Sequence, residues 1–507
     1  MKNVLFISID QLRGDCLSAA GHPMVKTPNL DRLASEGTLF ARHYAGAVPC
    51  SPARACLYTG LYQMNNRVCI NGTPLDARHD TIALAAQRFG YQPTLFGYTD
   101  QALDPRMAEP GDPRLNTYEG LLPGMSSQMF LGGDETPWLN WLAARGHDIP
   151  DNPLDIHLPK NGPADPPTTT PPVYSAEETQ TAYLTDGLMD WIDVQPDGWF
   201  AHLSFIRPHP PFIVPAPYNT IYDPDQVPAF VGRESAADEQ KLHPFLVEAF
   251  RRSTKNYFVH GAHGRIDDWS QADLRQIRAT YYGMVSEVDA QLGRLFDHLR
   301  RQDNWDNTLI IVTGDHGEML GDHFLFGKPG FFEQTYHIPL IIRDPDRSDH
   351  TGQQIDHFTE AVDVMPTVLQ CLGAPVPRHL DGRSLAPFLE GVTPPKWREA
   401  AHYEGDFRRI SGGEAHIEGL FSVDQMNLAV SRGERFKYVH FAALPPLLFD
   451  LQNDPGETVN LADDPEYLAV RVNCAEELLR WRATHLDRTL SRTELTEDGP
   501  IKADTLI

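Results

Sequence analysis

Short, nearly unbroken apolar runs alternate with amphipathic stretches through most of the chain. Val4 to Ile9, interrupted only by Ser8, reads as a buried strand that delivers Asp10 at its end. Thr94 to Tyr98, Trp199 to Ile206, Leu309 to Thr313 and Ile338 to Ile342 read the same way, with shorter candidates at 38–44 and Ile355 to Thr359. Between them, helical spacing is seen at 29–36, where Pro28 starts and Gly37 stops the pattern, and at Thr81 to Arg88, 177–193 and Val362 to Leu372. Residues 49–60 form a turn entering a helix, and 271–301 form one long helix with Ile277, Tyr281, Val285, Val288, Leu292 and Leu295 as its stripe. This alternation predicts an α/β fold with a large, mostly parallel central sheet flanked by helices.

The pattern then changes. Short strands at His402 to Glu404, Asn427 to Val430 and Phe436 to Phe441, with a helix at 466–484, predict a smaller antiparallel sheet backed by a helix. The expected division is a catalytic domain over 1–375 and a C-terminal α+β subdomain with an irregular tail over 376–507. Residues 103–176 are rich in Pro and Gly and read as a long excursion over the active-site face; 207–217 read as an ordered loop or lid.

Composition narrows the partners. At 41% hydrophobic and 22% charged over 507 residues, the chain is a folded soluble protein, which excludes disorder, collagen and a small disulfide-stapled module. Forty-three Lys and Arg against 69 Asp and Glu give −26, a surface that repels nucleic acid and anionic lipid. The six cysteines form no CxxC pair, and no run approaches the roughly 18 apolar residues of a membrane span. With no signal-peptide pattern at its start, the chain is expected in the cytoplasm with its cysteines as thiols.

Ligands in open parallel sheets sit beyond the carboxyl ends of strands. Asp10-Gln11 and Asp315-His316 stand at two such ends. A lone acid there commonly caps a turn. Two of them with an imidazole suit a divalent cation, Mn²⁺ or Ca²⁺ ahead of Mg²⁺ or Zn²⁺. The most specific segment is Cys50-Ser-Pro52-Ala-Arg54 with its extension Ala55-Cys-Leu57-Tyr-Thr59-Gly60. It resembles the sulfatase signature, which directs oxidation of its Cys to Cα-formylglycine.

Further segments match that family in order: Val25 to Leu33, Gly97-Tyr-Thr99, Arg207-Pro-His209-Pro-Pro211-Phe212, Thr313-Gly-Asp315-His316-Gly-Glu318, Gly321-Asp-His323 with Gly327-Lys328, and Leu448-Phe-Asp-Leu451 with Asp454-Pro-Gly-Glu457. The chain thus resembles the sulfatase branch of the alkaline phosphatase superfamily, and within it the phosphonate monoester hydrolase/phosphodiesterase group and its related arylsulfatases.

The resemblance implies that Asp10, modified Cys50, Asp315 and His316 bind the metal. It also implies that Arg54 orients the nucleophile, His209 serves the departing oxygen, Lys328 neutralises non-bridging oxygens, and Asn71, Tyr98, Thr99 and Gln11 contact substrate. A hydrated formylglycine is a geminal diol: one hydroxyl attacks, and the other expels the bound oxyanion as the aldehyde re-forms. Gln11 and His316 stand where many classical sulfatases keep Asp and Asn, which takes a negative charge from the cation's surroundings. The implied partners are a small anionic ester, a formylglycine-generating enzyme, and further copies of the chain in a dimer or tetramer. Sulfate monoesters are the first expected substrates, with phosphonate monoesters and phosphodiesters as the alternative and an inactive anion-binding protein as a different class.

Overall fold

The computed structural model describes residues 1–507 apart from 164, 409–421, 489, 492 and 503–507. Eight strands form the central sheet: β1 (Asn3–Ile9), β2 (Thr38–Phe40), β3 (Pro93–Gly97), β4 (Ser126–Phe130), β5 (Phe200–Phe205), β6 (Thr308–Gly314), β7 (Leu340–Arg343) and β8 (Gln353–Ile355). Their spatial order is β8-β2-β7-β6-β1-β5-β3-β4. Only β7 runs against the rest, pairing antiparallel with both β6 and β2. Every residue of β1, β5 and β6 is buried, as expected of parallel strands covered on both faces. The α/β reading of the sequence therefore holds.

A smaller sheet, β9 (Ala400–Asp406), β10 (Asn427–Gly433), β11 (Phe436–Phe441) and β12 (Leu447–Asp450), is antiparallel throughout. Its edge is joined by the two-residue strand Ala47–Val48, which pairs parallel with Glu404 and Gly405. The late sheet thus braces the chain immediately ahead of Cys50. Four helices matter below: α1 (Cys50–Thr59), α2 (Pro244–Arg252), α3 (Gln271–Arg301) and α4 (Leu468–Thr484). Leu478 and Trp481 of α4 pack with Tyr438 and Leu448 of the small sheet and with Tyr62.

Several expectations change. The run 38–44 splits into β2 and His43–Tyr44, and 355–359 splits between β8 and Thr359–Glu360; the two-residue pieces pair in a separate three-stranded sheet. The excursion at 103–176 contributes β4 to the edge of the main sheet and a helix, Thr136–Ala143. In the tail, Thr493–Thr496 and Gly499–Lys502 form a hairpin, while 489, 492 and 503–507 lie outside the described residues.

Candidate active site

The sheet's register gathers the site. Ile9 of β1 lies opposite Gly314 of β6, so the residues that follow, Asp10 and Asp315, emerge together. On the other side, β5 leads toward His209 and β3 toward Tyr98 and Thr99. The last residue of β3 is Gly97, where a Cβ would lie 2.0 Å from the Ser204 carbonyl oxygen. Four adjacent strand ends thus supply groups to one place, as the open-sheet rule expects. Helix α1 adds Cys50 at its first turn and Arg54 four residues on, along the same face.

Arg54 is fully buried and its donors are all engaged. Nε donates to Asp315 Oδ2 at 2.9 Å, and Nη1 donates to Ser204 Oγ at 2.8 Å and to the Tyr98 carbonyl at 3.1 Å. Nη2 lies 3.5 Å from Asp10 Oδ2, which also accepts from the Tyr98 hydroxyl. The guanidinium sits 4.2 Å from the Tyr98 ring centroid. Burial works against ionised Asp315, but His316, Arg54 and Lys328 override it and hold that carboxylate well below its usual range.

Asp10, Cys50, Asp315 and His316 are buried, and each offers one ligand atom within 4.8 Å of the others. His316 Nδ1 donates to the Gly317 carbonyl at 3.0 Å, so its Nε2 lone pair faces Cys50 Sγ at 3.2 Å and Asp10 Oδ1 at 3.7 Å. Burial lowers the imidazole to about 4, keeping it neutral as a ligand must be. Asp10 Oδ1 has no hydrogen-bond partner among the described residues. An orphaned buried carboxylate oxygen aimed at a neutral imidazole lone pair is what a divalent cation would satisfy, so the residues fit one.

Lys328 Nζ bridges Gln11 Oε1 at 3.0 Å and Cys50 Sγ at 3.2 Å. Gln11 has a left-handed backbone (φ 66°), and its amide nitrogen donates to Glu318. Burial, reinforced by Asp10, pushes the Cys50 thiol well above its ordinary value. An unmodified thiol here is therefore a poor nucleophile. His209 Nδ1 donates to the Pro210 carbonyl at 2.8 Å, and Arg207 Nη1 braces the same loop through the carbonyls of His209 (2.8 Å) and Pro211 (3.3 Å). Burial, with Lys328 nearby, holds His209 well below its ordinary value, so Nε2 is an acceptor and takes the Tyr257 hydroxyl at 3.3 Å.

Two residues expected to contact substrate also have partners within the chain. Asn71 Oδ1 accepts from the Ser51 amide at 3.0 Å, and the Thr99 hydroxyl donates to Gly120 and accepts from the Leu122 amide. Ser204 and Tyr257 are neighbours outside the catalytic motifs, and Glu318 lies in the Thr313 to Glu318 motif without an assigned role. Ser204 looks like any polar break in an apolar strand, and Tyr257 belongs to no motif.

Against known families, the sulfatase family matches residues 2–374. The chain belongs to the sulfatase family. Residues 321–484 also match the family described as N-sulphoglucosamine sulphohydrolase, C-terminal. Among solved structures, this chain is similar to a phosphonate monoester hydrolase of Agrobacterium radiobacter: 54% identical, TM-score 0.96, covering 99% of each chain. The phosphonate monoester hydrolase SpPMH from Silicibacter pomeroyi is 39% identical with a TM-score of 0.92, again over 99% of each. The multifunctional alkaline phosphatase superfamily protein PehA of Trinickia caryophylli is 41% identical over 98% of each chain. Fold, family match and buried ligand cluster together make this chain a hydrolase, not an inert anion binder. Among the described residues, no helix is long and apolar enough to cross a membrane.

Proposed function

We propose that this sulfatase-family protein hydrolyses phosphonate monoesters and phosphodiesters, with sulfate monoesters as secondary substrates. The order reverses the one expected from sequence. The observation that carries it is the similarity, over 99% of both chains, to two phosphonate monoester hydrolases. The local charge is consistent: Lys328 and Arg54 face the reacting position, and Gln11 is neutral where a further carboxylate would repel an incoming anion.

Asp10, Asp315, His316 and the converted side chain of Cys50 would hold one divalent cation. When bound, the cation supplies Lewis-acid polarisation; formylglycine at position 50 supplies a hydrated aldehyde, whose oxygen is a harder donor than sulfur. Arg54, locked by Asp315 and Ser204, orients the nucleophile indirectly, by fixing the Asp315 carboxylate beside residue 50. Lys328, already 3.2 Å from the side-chain tip of residue 50, neutralises the non-bridging oxygens as charge shifts in the transition state. His209 must take up a second proton at Nε2 before it can donate one. An anionic ester beside the ring favours that imidazolium, which then protonates the departing alkoxide.

The test is a matched panel: kcat/KM for an aryl phosphonate monoester, an aryl phosphodiester and an aryl sulfate sharing one leaving group, on metal-loaded protein with Cys50 conversion quantified. The phosphorus esters should lead. A sulfate preference of several powers of ten would reverse the reading. Maturation by a formylglycine-generating enzyme belongs to the same proposal, as does assembly with further copies of the chain. Leu468, Val472 and Leu479 form an exposed apolar stripe on the outer side of α4. Leu479→Glu should lower the molar mass seen by light scattering if that stripe is covered by a second copy.

A further inference from the structure

Beside the reacting centre lies a cleft of about 290 Å³ with Lys328 and Tyr257 on its rim. Its walls include Phe245 and Ala249 of α2, Phe326, and Leu428 of β10. They are held rigidly. Phe326 packs against Phe258, Trp269 and Phe212, and Phe245 packs against Phe331 and Phe441. The two carboxylates at the cleft, Glu248 and Asp406, are each beside an arginine, at 3.6 Å from Arg251 and 2.7 Å from Arg408. Recognition in the cleft therefore falls to apolar and aromatic surface.

Tyr257 connects this cleft to the chemistry. It is 54% exposed, unusual for an aromatic with nothing polar for its ring to do, yet its hydroxyl is committed to His209 Nε2 at 3.3 Å. Its ring stands edge-on to the imidazole at 6.1 Å. A group seated against the Tyr257 ring would sit between His209, which serves the departing oxygen, and Lys328, which faces the oxyanion. We propose that this cleft is the leaving-group subsite, taking an uncharged aromatic alcohol of one or two fused rings, with Tyr257 as its specificity-determining wall. The volume, at the small end of the roughly 300–1,000 Å³ of ligand pockets, suits a group of one or two fused rings. Flat apolar surface framed by rigid rings favours an aryl group by burial and ring contact. The inference rests on the ester-hydrolase reading above and adds the identity of the alcohol.

The experiment pairs a 2-naphthyl ester with the ester of a comparably acidic anionic phenol, 3-hydroxybenzenesulfonate, on the same oxyacid. Wild-type protein should prefer the naphthyl ester by about tenfold or more in kcat/KM, the range a hydrophobic pocket supplies. Ala249→Phe, which fills the cleft, and Tyr257→Ala, which removes its wall, should each erase that preference. Tyr257→Phe should retain it, because the ring stays. An unchanged preference in both Ala249→Phe and Tyr257→Ala overturns the subsite. The same phenols can be carried on phosphonate, phosphodiester or sulfate, so the wrong oxyacid does not mimic a wrong cleft. If no ester turns over, the proposed function falls, and binding of free 2-naphthol decides the cleft. A saturable fluorescence change lost in Ala249→Phe supports it, and no change in the wild type overturns it.

Discussion

His209 carries its one ring proton on Nδ1, where the Pro210 carbonyl holds it, and offers Nε2 as an acceptor to Tyr257. A histidine so arranged contributes most where the leaving alkoxide is basic. His209→Ala should lower kcat/KM by about 10²–10⁴ for poor leaving groups and much less for good ones. A Brønsted plot over substituted phenols reads this directly, and parallel lines for variant and wild type would remove the acid role. Cys50→Ala should abolish turnover while keeping the wild-type circular dichroism spectrum, because the raised thiol and its metal-facing position matter to chemistry and not to the core. Full activity in that variant would defeat the formylglycine mechanism. At this scale the sequence was informative where residues lie in short motifs: Cys50 and Arg54 one helical turn apart, Asp10 and Asp315 at strand ends. It was silent on Tyr257 and Ser204, which reach the site only through the folding of distant segments and have neighbours in sequence that carry no chemistry.

The elements that were hard to read share a physical cause. β4 (Ser126–Phe130) has three exposed residues and two half-buried ones, so an edge strand with no apolar alternation looks like loop. The central strands announce themselves because both faces are covered. The direction of β7 was not legible either, since burial records depth and not polarity of the chain. Helix α3 shows what a buried element tolerates. Glu287 accepts from the Thr179 hydroxyl at 2.7 Å, and burial lifts its carboxyl from the ordinary 4.5 to about 7. A folded-state value above the unfolded one means that the folded chain binds the proton more tightly. Its stabilising contribution is therefore complete below pH 4.5 and is lost as pH rises through about 7. Glu287→Gln keeps the acceptor and removes the titration. Its stability should fall less than the wild type's between pH 5 and pH 8, by on the order of 2–3 kcal/mol, seen as a smaller drop in melting temperature. Identical slopes in calorimetric scans at a series of pH values would show that the carboxyl is already ionised.

For the whole molecule, the decisive feature is that the metal cluster draws on parts of the chain far apart in sequence. Asp10 follows β1, Cys50 starts α1 beside the small sheet's edge strand, and Asp315 and His316 follow β6. A cation bridging them binds the folded chain and has no comparable site on the unfolded one, so its binding free energy adds to stability as RT ln(1 + [L]/Kd). At a hundredfold excess over Kd this is about 2.7 kcal/mol. Spread over the unfolding entropy of a chain of 507 residues, it raises the melting temperature by about 2–3 °C. The rise should be greater with Mn²⁺ than with Ca²⁺ at equal concentration, because one ligand is an imidazole nitrogen. It should vanish with chelator. Asp315→Asn, which removes a ligand charge and the Arg54 ion pair together, should melt lower than wild type and gain nothing from either ion. Asp289→Asn on α3 is the control: it disturbs a buried carboxylate away from the cluster, so it should melt differently from wild type yet keep the full Mn²⁺ response. A metal response surviving in Asp315→Asn, or lost in Asp289→Asn, would place the stabilising ion somewhere other than between these strand ends.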